Sequence, residues 1–153
     1  MPGPTLEDAI ILATDAHRGQ KDRNDEPYIM HPLRVASRLW GYDERMVAVL
    51  HDVVEDTAVT LDDLRKAGYP AHIVDAVDAI SKRKDIDEPY SQYIRRVREN
   101  PLATKVKIVD LRDNANLDRL PKVEAFDLRR LDRYNRALQF LTGRYASPEI
   151  LID

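Results

Sequence analysis

The densest chemistry in the chain is the run His51-Asp52-Val53-Val54-Glu55-Asp56, which sets four ionisable side chains within six positions at the end of an otherwise apolar segment. On a helix His51 and Glu55 are i, i+4 neighbours, and so are Asp52 and Asp56, so the four make two adjacent ridges on overlapping faces. Val49, Leu50, Val53 and Val54 turn the remaining surface toward a core. An imidazole beside a carboxylate begins a divalent-metal site, but two ligands do not close one. His31, in Pro27-Tyr28-Ile29-Met30-His31-Pro32, stands just before a proline, at a helix entrance from which a side chain can project into a cleft. Asp110 ends the run Val106-Lys107-Ile108-Val109-Asp110, where an unpaired carboxylate is costly to bury and a cation would supply its partner. Asn114, one turn later, shares that face. Taken singly, each has a plainer role: a hydrogen-bonded core histidine, or an aspartate that caps a helix.

The elements that must carry these residues read as helices throughout. Thr5 is an N-cap with Asp8 three residues on, opening a helix from about Thr5 to Arg18 that Gly19 stops. A polar loop, Gln20 to Pro27, follows. Further helices are expected from about Pro32 to Trp40, from Asp43 through Val54, from Thr60 to Ala67, from Pro70 to Ile80, from Tyr90 to Asn100, from Leu102 to about Asn116 and from about Val123 to Gly143. Ser81 to Glu88 reads as a charged loop. Lys105-Val106-Lys107-Ile108-Val109 alternates like a strand, but no second convincing strand exists to pair with it, so the stretch is assigned to a helix. The expectation is an all-α bundle of about seven or eight helices, one domain over residues 1–153 with its core at about 5–143.

Composition narrows the function classes. The charge of −3, from 24 basic and 27 acidic residues, argues against a general binder of nucleic-acid polymers. The absence of cysteine excludes a disulfide scaffold, a zinc finger, an iron–sulfur protein and a cysteine nucleophile. No apolar run reaches the ~20 residues of a membrane span, and Met1-Pro2-Gly3-Pro4 lacks the features of a signal peptide, so a cytoplasmic protein is the default expectation. Sequence says nothing of oligomeric state. The five glycines are scattered and form no G-x-G, so any phosphate must be held by metal and basic side chains. Lys107, three residues before Asp110, and the cluster Lys82-Arg83-Lys84 are candidates. His17 and His72 are assigned to structure or surface. Trp40, Tyr42, Tyr90 and Tyr93 are assigned to packing, with Tyr93 the first alternative for a ligand contact.

Four segments together, Ala16-His17-Arg18-Gly19-Gln20, Pro27-Tyr28-Ile29-Met30-His31-Pro32, Leu50-His51-Asp52-Val53-Val54-Glu55-Asp56-Thr57 and Val106-Lys107-Ile108-Val109-Asp110-Leu111-Arg112-Asp113-Asn114, resemble the HD-domain hydrolases of the RelA/SpoT group in the same order. In size the chain is most similar to the small stand-alone alarmone hydrolases of the animal SpoT-homologue type. The resemblance implies an all-α fold and one divalent ion, usually manganese, held by His31, His51, Asp52 and Asp110; iron and zinc also suit such ligands. It implies that Glu55 and Asp56 position and activate the attacking water, and that Asn114 and Tyr134 contact a phosphorylated nucleotide substrate. The implied activity is 3′-pyrophosphohydrolysis of guanosine 3′,5′-bis(diphosphate). The alternatives are a phosphatase for another phosphorylated nucleotide, or a non-catalytic nucleotide-sensing module. No synthetase half is expected. The family commonly places Arg-Lys in the loop before Pro-Tyr-Ile, where this chain has Asp22-Arg23: Arg23 keeps the basic character, and Asp22 reverses it.

Overall fold

The computed structural model describes residues 2–143 and 147–153. Among them the chain forms nine α-helices: α1 Leu6–Ala16, α2 Met30–Ser37, α3 Tyr42–Leu50, α4 Val53–Asp56, α5 Leu61–Lys66, α6 Ala71–Ile80, α7 Tyr90–Arg98, α8 Pro101–Asn114 and α9 Ala125–Leu141. Three short 3₁₀ helices, Lys84–Ile86, Leu117–Arg119 and Pro148–Ile150, lie between or after them. The described residues contain no strand, only an isolated antiparallel bridge between Lys21 and Pro27.

Local chemistry sets most boundaries. Thr5 Oγ1 accepts from the Asp8 N–H at 3.1 Å and Asp8 Oδ2 accepts from the Thr5 N–H at 2.8 Å, a reciprocal box that opens α1. Thr60 and Asp63 repeat the device at α5. Gly68, at φ +92°, turns the chain out of α5 in a conformation that other residues rarely adopt. α2 begins at Met30, two residues ahead of the expected start, so His31 lies inside the helix rather than before it. Pro32 still falls in the first turn, where its missing N–H leaves nothing unsatisfied.

Two central helices carry the site. On α3, Met46, Val47, Ala48, Val49 and Leu50 are all buried, and α1, α2, α6 and α8 pack around them. On α8 the buried residues are Ala103, Val106, Lys107, Asp110, Leu111 and Asp113, a helical spacing that the local alternation of Lys105–Val109 hides. Its inward face therefore contains three charged side chains. The helix expected from Asp43 through Val54 is interrupted at His51–Asp52. There the His51 imidazole takes the Ala48 carbonyl at 2.6 Å, the acceptor that a continuing helix would offer to Asp52. Asp52 sits at φ −99°, ψ −4°, and the ladder resumes with the Asp56 N–H donating to Asp52 O at 2.9 Å.

The loop over 81–88 is charged, as expected, but anchored. Glu88 is buried and accepts from Arg96 twice, at 3.0 and 2.8 Å, and from the Arg83 N–H at 3.1 Å. The packing role expected for Trp40 and Tyr42 is not borne out: they are 88% and 55% exposed. Trp40 follows the end of α2, where the Arg45 guanidinium lies 5.8 Å from the centre of its ring. The 3₁₀ turn Pro148–Ile150 packs on α9, and Leu151 is buried with the core. No described helix is long and apolar enough to cross a membrane.

Candidate metal centre

Four side chains from three places in the chain meet at the centre of the bundle: His31 from α2, His51 and Asp52 from the break after α3, and Asp110 from α8. His31 Nε2 lies 2.8 Å from Asp110 Oδ1 and 3.6 Å from Asp52 Oδ2. His51 Nε2 lies 3.3 Å from the same Asp110 oxygen and 3.1 Å from the same Asp52 oxygen. Ligand atoms of His31, His51 and Asp52 all fall within 4.8 Å of one another. Both histidines and Asp110 are buried.

The ring nitrogens facing away from this cluster are committed. His51 Nδ1–H donates to the Ala48 carbonyl, and His31 Nδ1–H donates to Asp113 Oδ2 at 2.7 Å. A carboxylate on one imidazole and a backbone carbonyl on the other are the partners that orient metal-ligating histidines. Each Nε2 is thereby left to face carboxylate oxygens, contacts that need either a proton or a cation between the two atoms. The electrostatics point the same way. Burial works against charge on His31 and His51, but the surrounding carboxylates outweigh it and raise both. Burial alone would push Asp110 and Asp52 up; the Lys107 charge and the histidines hold Asp110 well below the usual carboxylate range, and His51 does the same for Asp52. Two imidazoles and two carboxylates of this geometry fit a divalent cation such as manganese, iron or zinc.

Asp113 carries the outer layer. It is fully buried and faces three arginines besides His31: Arg34 at 3.1 Å, Arg119 at 3.3 Å and Arg38 at 3.5 Å. Burial raises its carboxyl, and the His31 and Arg34 hydrogen bonds more than reverse that, holding it far below its ordinary value. Sequence reasoning passed over Asp113. Its spacing of three from Asp110 on a helix was the available signal. Tyr28 was also passed over as a functional group; its hydroxyl donates to Asp52 Oδ2 at 2.6 Å.

The acids Glu55 and Asp56 flank the cluster from α4. Glu55 Oε1 accepts from the Lys82 N–H at 2.6 Å, and Asp56 Oδ1 pairs with Lys84 Nζ at 2.8 Å. Burial lifts the Glu55 carboxyl above its usual range; the Lys82 bond partly offsets this, and Asp52 and Asp56 add to it. Ligand atoms of Asp52, Glu55 and Asp56 again lie within 4.8 Å of one another. Lys107 is buried and pairs with Asp110 Oδ2 at 2.8 Å, while Asn114 Nδ2 donates to Asp110 Oδ1 at 3.1 Å. Of the basic cluster, Lys82 reaches the cleft, Lys84 holds Asp56, and Arg83 turns away to Asp78 at 2.7 Å.

A cleft of two lobes opens over this centre. The inner lobe, about 240 Å³, is bordered by the metal-side carboxylates with Lys82, Lys107, Tyr90, Tyr93 and Arg133. The outer lobe, about 170 Å³, is bordered by Asp22, Arg23, Arg34, Arg119, Asp127 and Arg130. Tyr28, His31, Asn114 and Tyr134 belong to both. Arg23 pairs with Asp127 and lies 4.5 Å from the centre of the Phe126 ring. Asp22 Oδ1 accepts from the Asn24 N–H at 2.8 Å and the Glu26 N–H at 3.0 Å, so this carboxylate closes the turn that carries Arg23. Tyr90 and Tyr93, both assigned to packing with Tyr93 the first alternative for a ligand contact, are buried and also wall the inner lobe.

Known proteins resemble this chain in sequence and in fold. A family model described as HD domain matches residues 9–131. The bifunctional (p)ppGpp synthase/hydrolase SpoT of Escherichia coli K12 is 39% identical over 93 residues, which are 57% of this chain and 13% of that protein. The guanosine-3′,5′-bis(diphosphate) 3′-pyrophosphohydrolase of Aquifex aeolicus is 34% identical over 118 residues, 71% of this chain and 17% of that protein. The chain thus spans under a fifth of the length of these relatives. A solved metazoan ortholog of SpoT, described as hydrolysing ppGpp and playing a role in starvation responses, superposes with a TM-score of 0.74 at 22% identity, covering 98% of this chain and 92% of that one. At that identity the match speaks for the fold.

Proposed function

Because this chain belongs to the HD-domain family, we propose that it is a metal-dependent phosphohydrolase that removes pyrophosphate from the 3′ position of guanosine 3′,5′-bis(diphosphate). The observation that carries the reading is the pair of imidazoles whose Nδ1 atoms are committed and whose Nε2 atoms converge on Asp52 and Asp110. The names of the relatives supply the substrate class. His31, His51, Asp52 and Asp110 would hold one divalent ion, manganese by family resemblance. When bound, such an ion lowers the pKa of a coordinated water and offsets phosphate charge.

The chain's own residues divide the remaining work. Glu55, lifted in pKa and fixed by the Lys82 N–H, accepts the proton of the attacking water as general base. Asp56, held by Lys84, orients that water or protonates the leaving group. Asn114 and Tyr134 stand where the lobes join and contact the nucleotide, with Arg23 reaching it from the outer lobe and Lys107 drawing phosphate inward. Asp22 favours a second reading, since an anionic turn at the outer lobe is a poor neighbour for a 5′-diphosphate: a different phosphorylated nucleotide as substrate. Incubation of the protein and manganese with a panel of phosphorylated nucleotides, following pyrophosphate and orthophosphate release, tests both. Pyrophosphate from the guanosine tetraphosphate supports the first reading. Orthophosphate from another nucleotide supports the second, and no release from any of them removes the enzyme assignment.

A further inference from the structure

Among the described residues, three buried side-chain polar atoms have no hydrogen-bond partner: His17 Nε2, the Tyr90 hydroxyl and Arg133 Nε. Two of the three border the inner lobe. Tyr90, from the first turn of α7, is only 8% exposed. The Arg133 guanidinium, from α9, stacks 4.4 Å from its ring centre, and no described carboxylate pairs with Arg133. Lys107 borders the same lobe, its Nζ 5.1 Å from the centre of the neighbouring Tyr93 ring. Leaving a buried donor unsatisfied has a substantial cost, and two such donors on neighbouring residues that both border one cavity mark a place where a ligand can supply the acceptors. Burial pushes the Tyr90 phenol up to about 12, with Lys107 and Arg133 drawing it partly back, so at neutral pH it keeps its proton and can only gain by donating it to an acceptor.

We infer that Tyr90 and Arg133, beside Lys107, form a subsite for a second phosphoryl group adjoining the metal centre, so that the inner lobe is built for a diphosphate rather than a single phosphate. The inference deepens the function proposed above and rests on it for the identity of the substrate, but not for the ligand chemistry. Four carboxylates and three cationic side chains border the lobe. A divalent ion tips that balance positive, and among the described residues the positive side chains of the lobe that form no salt bridge, Arg133 and Lys82, are the ones available to meet the outer phosphoryl oxygens. Arginine presents several donors in a planar fork that matches such a group.

The test is calorimetric titration of the manganese-loaded chain, dialysed free of excess metal, with inorganic pyrophosphate and with orthophosphate. Tyr90→Phe and Arg133→Met should each weaken pyrophosphate binding about tenfold or more, the loss expected for one hydrogen bond to a charged group. Orthophosphate affinity and bound manganese should stay within about threefold of the parent by the same reasoning. Equal loss for both anions, or no loss for either, overturns the subsite. Should Arg133→Met fail to fold, Tyr90→Phe, which keeps the ring and removes only the unpartnered hydroxyl, decides alone. The hydrolase reading fails separately: selective pyrophosphate binding without nucleotide turnover leaves the subsite standing, and turnover with unselective binding removes the subsite only.

Discussion

Asp113 borders neither lobe of the cleft, yet it holds one of the proposed metal ligands, His31, in place. Its carboxylate fixes the His31 ring through Nδ1 and balances three arginines from a fully buried position. Asp113→Asn keeps the shape and one acceptor but removes the charge; Asp113→Ala removes both. Removing one partner of a buried ion pair costs about 3–5 kcal/mol when the survivor is also buried. Here the survivors Arg34, Arg38 and Arg119 have side chains 25%, 46% and 31% exposed, so water compensates in part. A loss of about 2–3 kcal/mol is expected for Asp113→Asn, which for a chain of this size lowers Tm by roughly 4–12 °C. Metal affinity should fall separately. Loss of an oriented outer partner costs about 10–100-fold, the lower figure for Asn and the higher for Ala. The control is Arg34→Met, which should lose stability but hold metal within about threefold, because the bond from His31 to Asp113 remains. Manganese titration of the metal-free protein at neutral pH, with thermal melts of each variant, reads both quantities. If Asp113→Ala binds manganese as tightly as the parent, the orienting role is wrong. The pH dependence follows from the depressed carboxyl. Its stabilisation is complete above the ordinary value of 3.8 and is lost as pH falls through the lower folded value, so Asp113→Asn should flatten the acid limb of the stability curve.

Other substitutions separate the remaining roles. Glu55→Gln should retain the metal and lower kcat by about 10²–10⁴-fold, and the parent's rate should climb with pH through a limb displaced above the ordinary carboxylate value of 4.5, a limb the variant lacks; full activity in the variant refutes the general-base role. Asp22→Asn keeps the acceptor for the Asn24 and Glu26 N–H groups while removing the charge, so KM for an anionic nucleotide should fall about threefold with kcat unchanged, as one screened surface charge allows. Glu88→Gln breaks the pair with Arg96, whose carboxylate partner has a side chain 1% exposed, and should cost about 3 kcal/mol, or roughly 6–12 °C in Tm. The Glu88 carboxyl is depressed first by Arg96, against burial, so the parent's advantage over that variant should vanish as pH falls through its folded value, which thermal melts at descending pH will show.

The helical character of the chain was legible because apolar spacing, caps and glycines act locally. Thr5 with Asp8, Thr60 with Asp63 and Gly68 each behave as their types and neighbours predict. The four side chains that converge between α2, α3 and α8 were picked out partly because imidazoles and carboxylates in apolar surroundings need partners and partly because their motifs resemble those of a known family. What escaped was the outer layer. Asp113 looks like one more surface acid until α8 is known to turn its Lys107–Asp110–Asp113 side inward, and the alternation around Val106 obscured that. The break at His51 escaped for a related reason: a side chain competing for a helix carbonyl depends on where its other ring nitrogen is held, which is tertiary information. Arg133 and Tyr90, more than forty positions apart in sequence, become a pair only once α7 and α9 pack.

The exposure of Trp40 bears on how this protein can be watched. The chain has a single tryptophan, and it is already 88% exposed in the native state, beside the Arg45 guanidinium. Its emission should therefore be red-shifted before denaturant is added and change little through the unfolding transition. Optical reporting falls instead to the tyrosines, of which Tyr69, Tyr90 and Tyr93 are buried, so near-ultraviolet absorbance and circular dichroism are the natural signals. A tryptophan introduced in place of Phe140, on the buried side of α9, would give the fluorimeter the interior chromophore that evolution left outside.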